Sequence, residues 1–373
     1  MRSCSNLQRA KQLALSISDK GLFHDAGNSS TWFGQTSDGE QVMIWANNAT
    51  ISAGCLTLDL AEELNRAIDY AEEHSTKRLV LCLDSAGVDL NNGWQVMQQT
   101  AALIKRLLQL QINTQTTTIA VLGDSVGCYG GALLTASSCE YVLAADNTQC
   151  GVSGAKVIAT LNNIPTEDHY PYYAATYRWV NKELFCILPK QIEEQRNLLL
   201  SLPYKTLDTT SIKLEIAQLI QHTAEDEASI AIPVNQKLEA DSPSLGFPES
   251  SFVGCDELLE FILRLERYLD SEVTVPIIDG NCDQAFSFLN EQRGFSRYLS
   301  CCMRLMRLLS AQGKTLQVKV SAGGSGATFI ALSLMADELS LGENCKIYPL
   351  PADAVSLFFP DHSLTGAEWK HHQ

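Results

Sequence analysis

The chain has 373 residues, 45% of them apolar and 19% charged, enough for two or three domains with a sizeable buried core. A formal net charge of −16 and a pI near 4.8 exclude general binding to a phosphate backbone, which such a surface repels. Twelve cysteines carry no Cys-x-x-Cys pair and no Cys/His ligand spacing, so they read as free thiols in a reducing compartment rather than as a zinc site.

The opening "MRSCSNLQRAKQLALSISDKG" lacks the apolar core of a signal peptide. The apolar stretch 118–139 is broken by Asp124 and glycines, which argues against a membrane span. A soluble, cytoplasmic protein is the expectation. "QVMIWA" (41–46) alternates as a strand, and "LDLAEELNRAIDYAEEH" (58–74) places apolar residues at helical spacing. "RLVLCLD" (78–84) is a short apolar run of the kind buried on both faces. A second amphipathic helix covers 93–110, and "TTIAVLG" (117–123) predicts the next buried strand. The glycines then lead into a helix over 129–138 and a strand over 139–146. This alternation predicts α/β layering.

The order returns late in the chain. Helix 256–270, strand 272–279, helix 295–312 and strand 315–320 precede a glycine turn and helix over 321–336 and a short strand over 337–342. The chain thus holds two copies of one plan. Between them, 222–250 is polar and acidic and carries three prolines, the composition of a linker.

Both glycine turns open a helix. Amides at a helix start have no intrahelical partner and carry the positive end of the dipole. Glycine lets a ligand oxygen approach them, so Gly130-Gly131, and Gly326-Ala327 in the second copy, read as candidate oxyanion sites. Close packing of strand on helix would also explain such glycines. No Gly-Lys-Ser/Thr follows, which excludes a phosphate loop. "GDSVG" (123–127) has the letters of a nucleophile elbow on Ser125, but no acid–histidine pair follows in order.

"GDSVGCYGGALLTASSCEYVLAADNTQCGVSGAKVI" (123–158) resembles the beta subunit of biotin-independent malonate decarboxylase. That family reads Gly-Ser-Val-Gly-Cys-Phe-Gly-Gly, a buried strand, then Leu-Gly-Leu-Asn-Gly-Pro-Gln-Val-Ile. "LVLCLDSAGVDLNNG" (79–93) resembles its strand ending in Gly-Gly-Val-Arg-Leu-Gln-Glu. Residues 275–300 and 321–354 resemble the gamma subunit. The resemblance implies a beta–gamma fusion: a beta-like carboxyltransferase module over 1–221, the linker 222–250, and a shortened gamma-like module over 251–373. It implies an α/β fold of two crotonase-like spiral modules built from repeated ββα units, with the active site between them.

The implied reaction decarboxylates a malonyl group carried as a thioester, on an acyl carrier protein or CoA, to acetyl thioester and CO2, with neither metal nor biotin. The Gly130 and Gly131 amides would hold the enolate oxygen, and those of Gly326 and Ala327 the carboxylate or nascent CO2. The substrate-facing candidates carried over are Gly87, Ser125, Cys128, Tyr129, Gly154, Lys156 and His169. The chain departs from the pattern where the family's Arg is Asp89, its Glu is Asn92, its Pro-Gln is Ala155-Lys156 and an acidic residue is Ala159. Lys156 either replaces the lost cation or is a solvated surface lysine. Tyr129, His169, Tyr170, Tyr172 or water would protonate the enolate carbon. Lys182, Lys190 and Arg178 are the candidates for a basic patch facing an acidic carrier. Alternative readings are a carboxyltransferase acting on acyl thioesters and a non-catalytic, carrier-docking subunit. A homo-oligomer is expected, with no nucleic-acid or membrane partner.

Overall fold

The structure, a computed structural model, describes residues 5–18, 22–226, 245–247, 252–343 and 345–350. The chain divides into two units, Met1–Thr206 and Leu207–Gln373. In the first, Ser5 opens helix α1 (Asn6–Ile17) through a capping box with Gln8. Strands β1 (Leu22–Asp25), β2 (Ser29–Gln35) and β3 (Gln41–Asn47) form an antiparallel meander after it. Helix α2 (Leu58–Glu73) starts where the Thr57 hydroxyl accepts from the Leu60 amide, and it buries Leu60, Leu64, Ala67, Ile68 and Ala71 along one face. β4 (Arg78–Leu83), α3 (Gly93–Asn113) and β5 (Thr117–Leu122) match the elements read from their apolar patterns.

Two further chain segments repeat one unit. Strand β5 is followed by the short strand β6 (Cys128–Tyr129) and α4 (Gly130–Ser137); β7 (Tyr141–Ala144) is followed by β8 (Cys150–Gly151) and α5 (Ala155–Asn162). β6 and β8 pair in a small side sheet, so each unit is strand, side strand, helix, which is the expected ββα plan. Helices α6 (Thr166–His169) and α7 (Ala175–Val180), strand β9 (Cys186–Ile187) and helix α8 (Ile192–Ser201) complete the unit. The main sheet runs β1-β2-β3-β4-β5-β7-β9 and is parallel from β3 onward. One face packs Ile44, Val80, Val121 and Leu143 against Leu13 of α1 and Leu199 of α8. Alternate residues such as Trp45, Leu81 and Ala120 are buried on the other face.

The second unit repeats the order. Helix α9 (Thr209–Asp226) precedes β10 (Leu245–Phe247), α10 (Cys255–Glu266), β11 (Ile278–Cys282), α11 (Phe288–Gln292), α12 (Phe295–Ala311) and β12 (Gln317–Ser325). Helix α13 (Gly326–Thr328) runs into a π-helical turn over Phe329–Leu334, with β13 (Glu338–Leu341) and β14 (Lys346–Tyr348) beyond it. All pairs in this sheet are parallel, in the order β10-β11-β12-β13. The first half of β12 pairs with β13 and its second half with β14, as β5 and β6 pair with β7 and β8 in the first unit.

Three expectations change. The boundary at 221 moves to 206, because α9 packs with α10 and α12 in the second unit. Of the expected linker 222–250, residues 222–226 continue α9 and 245–247 form β10; the rest lies outside the described residues, as does 351–373 of the second module. The strand expected over 272–279 begins instead at Ile278. Pro276 has no N–H for a ladder, and Val273 and Ile277 are 62% and 51% exposed, so the apolar alternation there faces solvent. The described cysteines are all free thiols. Burial raises those of Cys82 and Cys282 to about 12. No described helix is long and apolar enough to cross a membrane.

Candidate active site

The first glycine turn is built around a buried carboxylate. Asp84 comes directly after β4 and is fully buried. Its carboxylate accepts from the amides of Val126 at 2.8 Å, Gly127 at 2.9 Å and Ser125 at 3.2 Å. The backbone either side of Asp84 is held by Asn47, whose side chain accepts from the Asp84 amide at 3.0 Å and donates to its carbonyl at 2.9 Å. Gly123 is required because a Cβ there would lie 2.6 Å from the Asp84 side chain. "GDSVG" is therefore a carboxylate grip. Ser125 is exposed, its amide is spent on Asp84, and among the described residues no histidine bonds its hydroxyl. That geometry removes the nucleophile-elbow reading.

The grip fixes the path of the chain into α4. Ser85 donates to the Gly127 carbonyl at 2.6 Å and accepts from the Tyr129 amide at 3.1 Å. Tyr129 is extended and Gly130 turns at φ +56°, starting α4 with no side-chain cap. Across from it, Leu56 donates to the Gly87 carbonyl at 2.8 Å and accepts from the Asp89 amide at 3.0 Å. The peptide between Gly87 and Val88 thereby points its N–H away from Leu56. A Cβ on Gly130 would meet the Gly87 Cα at 3.7 Å, and one on Gly131 would lie 2.5 Å from Val88 Cγ1. The Gly87–Val88 segment and the start of α4 thus form one wall. The parallel register of Tyr129 with Gly151 turns the Gly130 amide onto the Gly151 carbonyl, which corrects the expected Gly130 donor; among the described residues, no side chain reaches the amides of Val88 or Gly131. Val88 was missed from sequence, since an amide direction set by pairing with Leu56 leaves no mark in residue type.

Gly87 sits at φ +126°, a conformation open to glycine, and is braced by the Ser85 hydroxyl, which accepts from the Gly87 amide and donates to its carbonyl. Cys128 is wholly buried in register with Cys150, and burial raises its thiol far out of the reactive range. Tyr129 is half-buried, with its ring 6.4 Å from that of Tyr173; burial raises its phenol and keeps it protonated at neutral pH. Gly154 is the N-cap of α5. Lys156, one residue into that helix, is exposed. The side chains of His169 and Asn92 lie outside the described residues. Tyr170 is exposed and Tyr172 packs edge-on against Tyr177. Lys182 and Lys190 are exposed, but Arg178 is not available to a basic patch. It is fully buried, paired with Glu183 at 2.8 Å and stacked over Tyr173.

A cavity of about 390 Å³ is lined among others by Asn28, Asn48, Cys55, Thr57, Asp59 and Asp89, and by none of Gly87, Val88, Gly130 or Gly131. Its described lining holds two carboxylates and no cation. Asp89 also accepts from the amide and the side chain of Asn91, which fixes the start of the adjoining turn. No group of three or more His, Cys, Asp or Glu suited to a metal occurs among the described residues.

The second glycine turn has the same backbone. Ser325 is extended as Tyr129 is, and Gly326 turns at φ +60° into α13. Val253 donates to the Asp283 carbonyl at 2.7 Å and accepts from the Ala285 amide at 2.9 Å, which puts Gln284 at the position of Val88. Here the amides that match Val88 and Gly131 are filled. Gln284 donates its N–H to the Ser325 hydroxyl at 3.1 Å, and its own side-chain oxygen accepts from the Ala327 amide at 2.7 Å. A Cβ on Gly326 would lie 2.3 Å from that oxygen. Gln284 and Ser325 are 3% and 4% exposed. The open second site expected at Gly326-Ala327 is corrected by these two side chains.

No protein-family profile matches the chain, and no curated protein matches it in sequence. Solved structures similar to it include a malonate decarboxylase heterodimer from Pseudomonas, at 23% identity over 54% of this chain and 87% of that one, with a TM-score of 0.46. A transcarboxylase 12S core is 13% identical over 98% of this chain and 81% of that one, with a TM-score of 0.44. An enoyl-CoA hydratase from Bacillus anthracis is 18% identical over 50% of this chain and 84% of that one, with a TM-score of 0.33.

Proposed function

We propose that the chain is an acyl-thioester enzyme of crotonase-like fold that decarboxylates a malonyl-type thioester at its first glycine turn. The observation that carries this reading is the pair of amides at Val88 and Gly131, which no side chain reaches, on the stretch that resembles the malonate decarboxylase beta subunit. In this reaction the bond between C2 and the carboxylate breaks, and its electron pair passes to the thioester oxygen as CO2 leaves. Pre-aimed amides facing that oxygen stabilise the charge as it develops. A proton from water or from the Tyr129 phenol then reaches C2 and gives the acetyl thioester. The malonyl group would ride on a phosphopantetheine arm, on a carrier protein or in CoA. Assembly into a homo-oligomer is part of the same proposal, read by light scattering of the full chain.

The test is to incubate the chain with malonyl-CoA and with malonyl carrier protein and to follow CO2 release by mass spectrometry. Release that is lost in Gly131→Val supports the reading. Circular dichroism must show that the variant is folded, because its side chain presses on Val88. One observation favours a second reading, a non-catalytic carrier-docking subunit. Asp89 stands where the resembled family has Arg, so an anion replaces a cation that could pair with a malonyl carboxylate. A folded chain that binds carrier yet releases no CO2 would select that reading.

A further inference from the structure

The two turns differ at matched positions, and the difference bears on the type of reaction. In the first unit the bridge partner of Leu56 is Val88, whose side chain carries no polar atom. In the second the bridge partner of Val253 is Gln284, whose side-chain carbonyl sits against the Ala327 amide. The residue before the positive-φ glycine is Tyr129 in one and Ser325 in the other. Only the serine hydroxyl bonds the facing amide, that of Gln284. So two substitutions at two matched positions occupy the amides of Gln284 and Ala327, the donors that match Val88 and Gly131. The plug is buried: Gln284, Ser325 and Thr328 are each less than 5% exposed. Thr328 is tied in as well, its hydroxyl bonding the Cys282 and Ser325 carbonyls. An unpaired buried amide would be costly, and this arrangement leaves neither donor unpaired.

We infer that Gln284 and Ser325 are permanent internal ligands of the second turn, so that each chain offers one oxyanion site. The carboxyl group is then released as CO2 and is not passed to a second carbonyl-bearing acceptor. The second clause rests on the thioester reading; the first does not. Carboxyl transfer breaks the C2–carboxylate bond of the donor and makes a new bond to carbon or nitrogen of an acceptor that has lost a proton. Both partners then pass through a state with negative charge on a carbonyl oxygen, and both oxygens need donors. The first turn supplies donors to one. The second turn has already spent its own.

Two measurements on the full chain decide this. The first is amide hydrogen exchange. The Ala327 amide should be protected in the wild type, lose protection by about tenfold or more in Gln284→Ala, and recover it in Gln284→Glu, which keeps an acceptor oxygen. Fast exchange of Ala327 in the wild type, or protection unchanged in Gln284→Ala, overturns the plug whether or not the chain binds a thioester. The second supplies carboxyl-13C malonyl-CoA together with propionyl-CoA or with biotin. The label should appear in CO2 and bicarbonate alone, and labelled methylmalonyl-CoA or carboxybiotin overturns the single-site inference. If the Ala327 pattern holds and no label leaves malonyl-CoA, the plug stands and the decarboxylase reading falls.

Discussion

The first and second glycine turns have the same backbone and opposite availability. Both come after a strand that pairs in parallel, both turn at a glycine near φ +60°, and both open a helix without a side-chain cap on the N-cap residue. At the first, the bridge residue is Val88 and the amides face no protein acceptor side chain. At the second, the bridge residue is Gln284 and its carbonyl is inside the turn. A fold that presents amides does not by itself make a binding site, because the same amides can be satisfied by one well-placed side chain. The second turn has become a structural joint.

The sharpest way to break this comparison is to transplant the plug. In Val88→Gln with Tyr129→Ser, the first turn receives the residues of the second. If the proposed activity resides there, turnover should fall by more than about a hundredfold, the scale of losing oxyanion donors. The unfolding midpoint should change little. Turnover within a few-fold of wild type would mean that the first turn holds no reacting oxygen.

A second effect separates the turn from its support. Asp84 is fully buried and satisfies three amides, so Asp84→Ala leaves those donors unpaired and should destabilise the first unit by about 3 kcal/mol or more. Denaturant unfolding reads this. Asp84→Asn keeps one acceptor oxygen, enough for Val126 and Gly127, which share Oδ1, but turns a donor toward Ser125. It should recover more than half of the loss. Equal loss in both variants would show that the negative charge, and not the hydrogen bonds, holds the loop.

The strands and long helices were legible because their signal is a burial pattern. β4 and β5 are uninterrupted apolar runs, and α2, α3 and α12 repeat apolar residues at helical spacing. The short strands β6, β8 and β14 were not, since two or three residues carry no period. The glycines at 130 and 131 were legible as a turn, yet the facing amide of Val88 and the grip of Asp84 depend on contacts across dozens of residues. Gln284 sits in "NCDQAF" with no local pattern, and its role comes only from the Val253 bridge. Arg178 read as a surface cation because nothing in its neighbourhood says that Glu183 is buried with it.

The smallest expected effect tests whether the second turn was shaped for stability alone. Asp283 occupies the position matched by Gly87 in the first unit. Its carboxyl is raised above the usual aspartate range, chiefly by burial, with bonds from Ser325 and Asn281 pulling the other way. A carboxyl raised on folding favours the folded state most when protonated. Its contribution is therefore present at acid pH, below the unfolded value, and is lost as pH rises through the raised folded value. Asp283→Asn removes that dependence. The variant should gain in melting temperature over wild type at neutral pH, and the gain should shrink toward zero as pH falls below the ordinary aspartate range. A loss at neutral pH would mean that the ionised carboxylate is needed by its partners at the turn. Asp283 would then be part of the plug and not a strained neighbour of it.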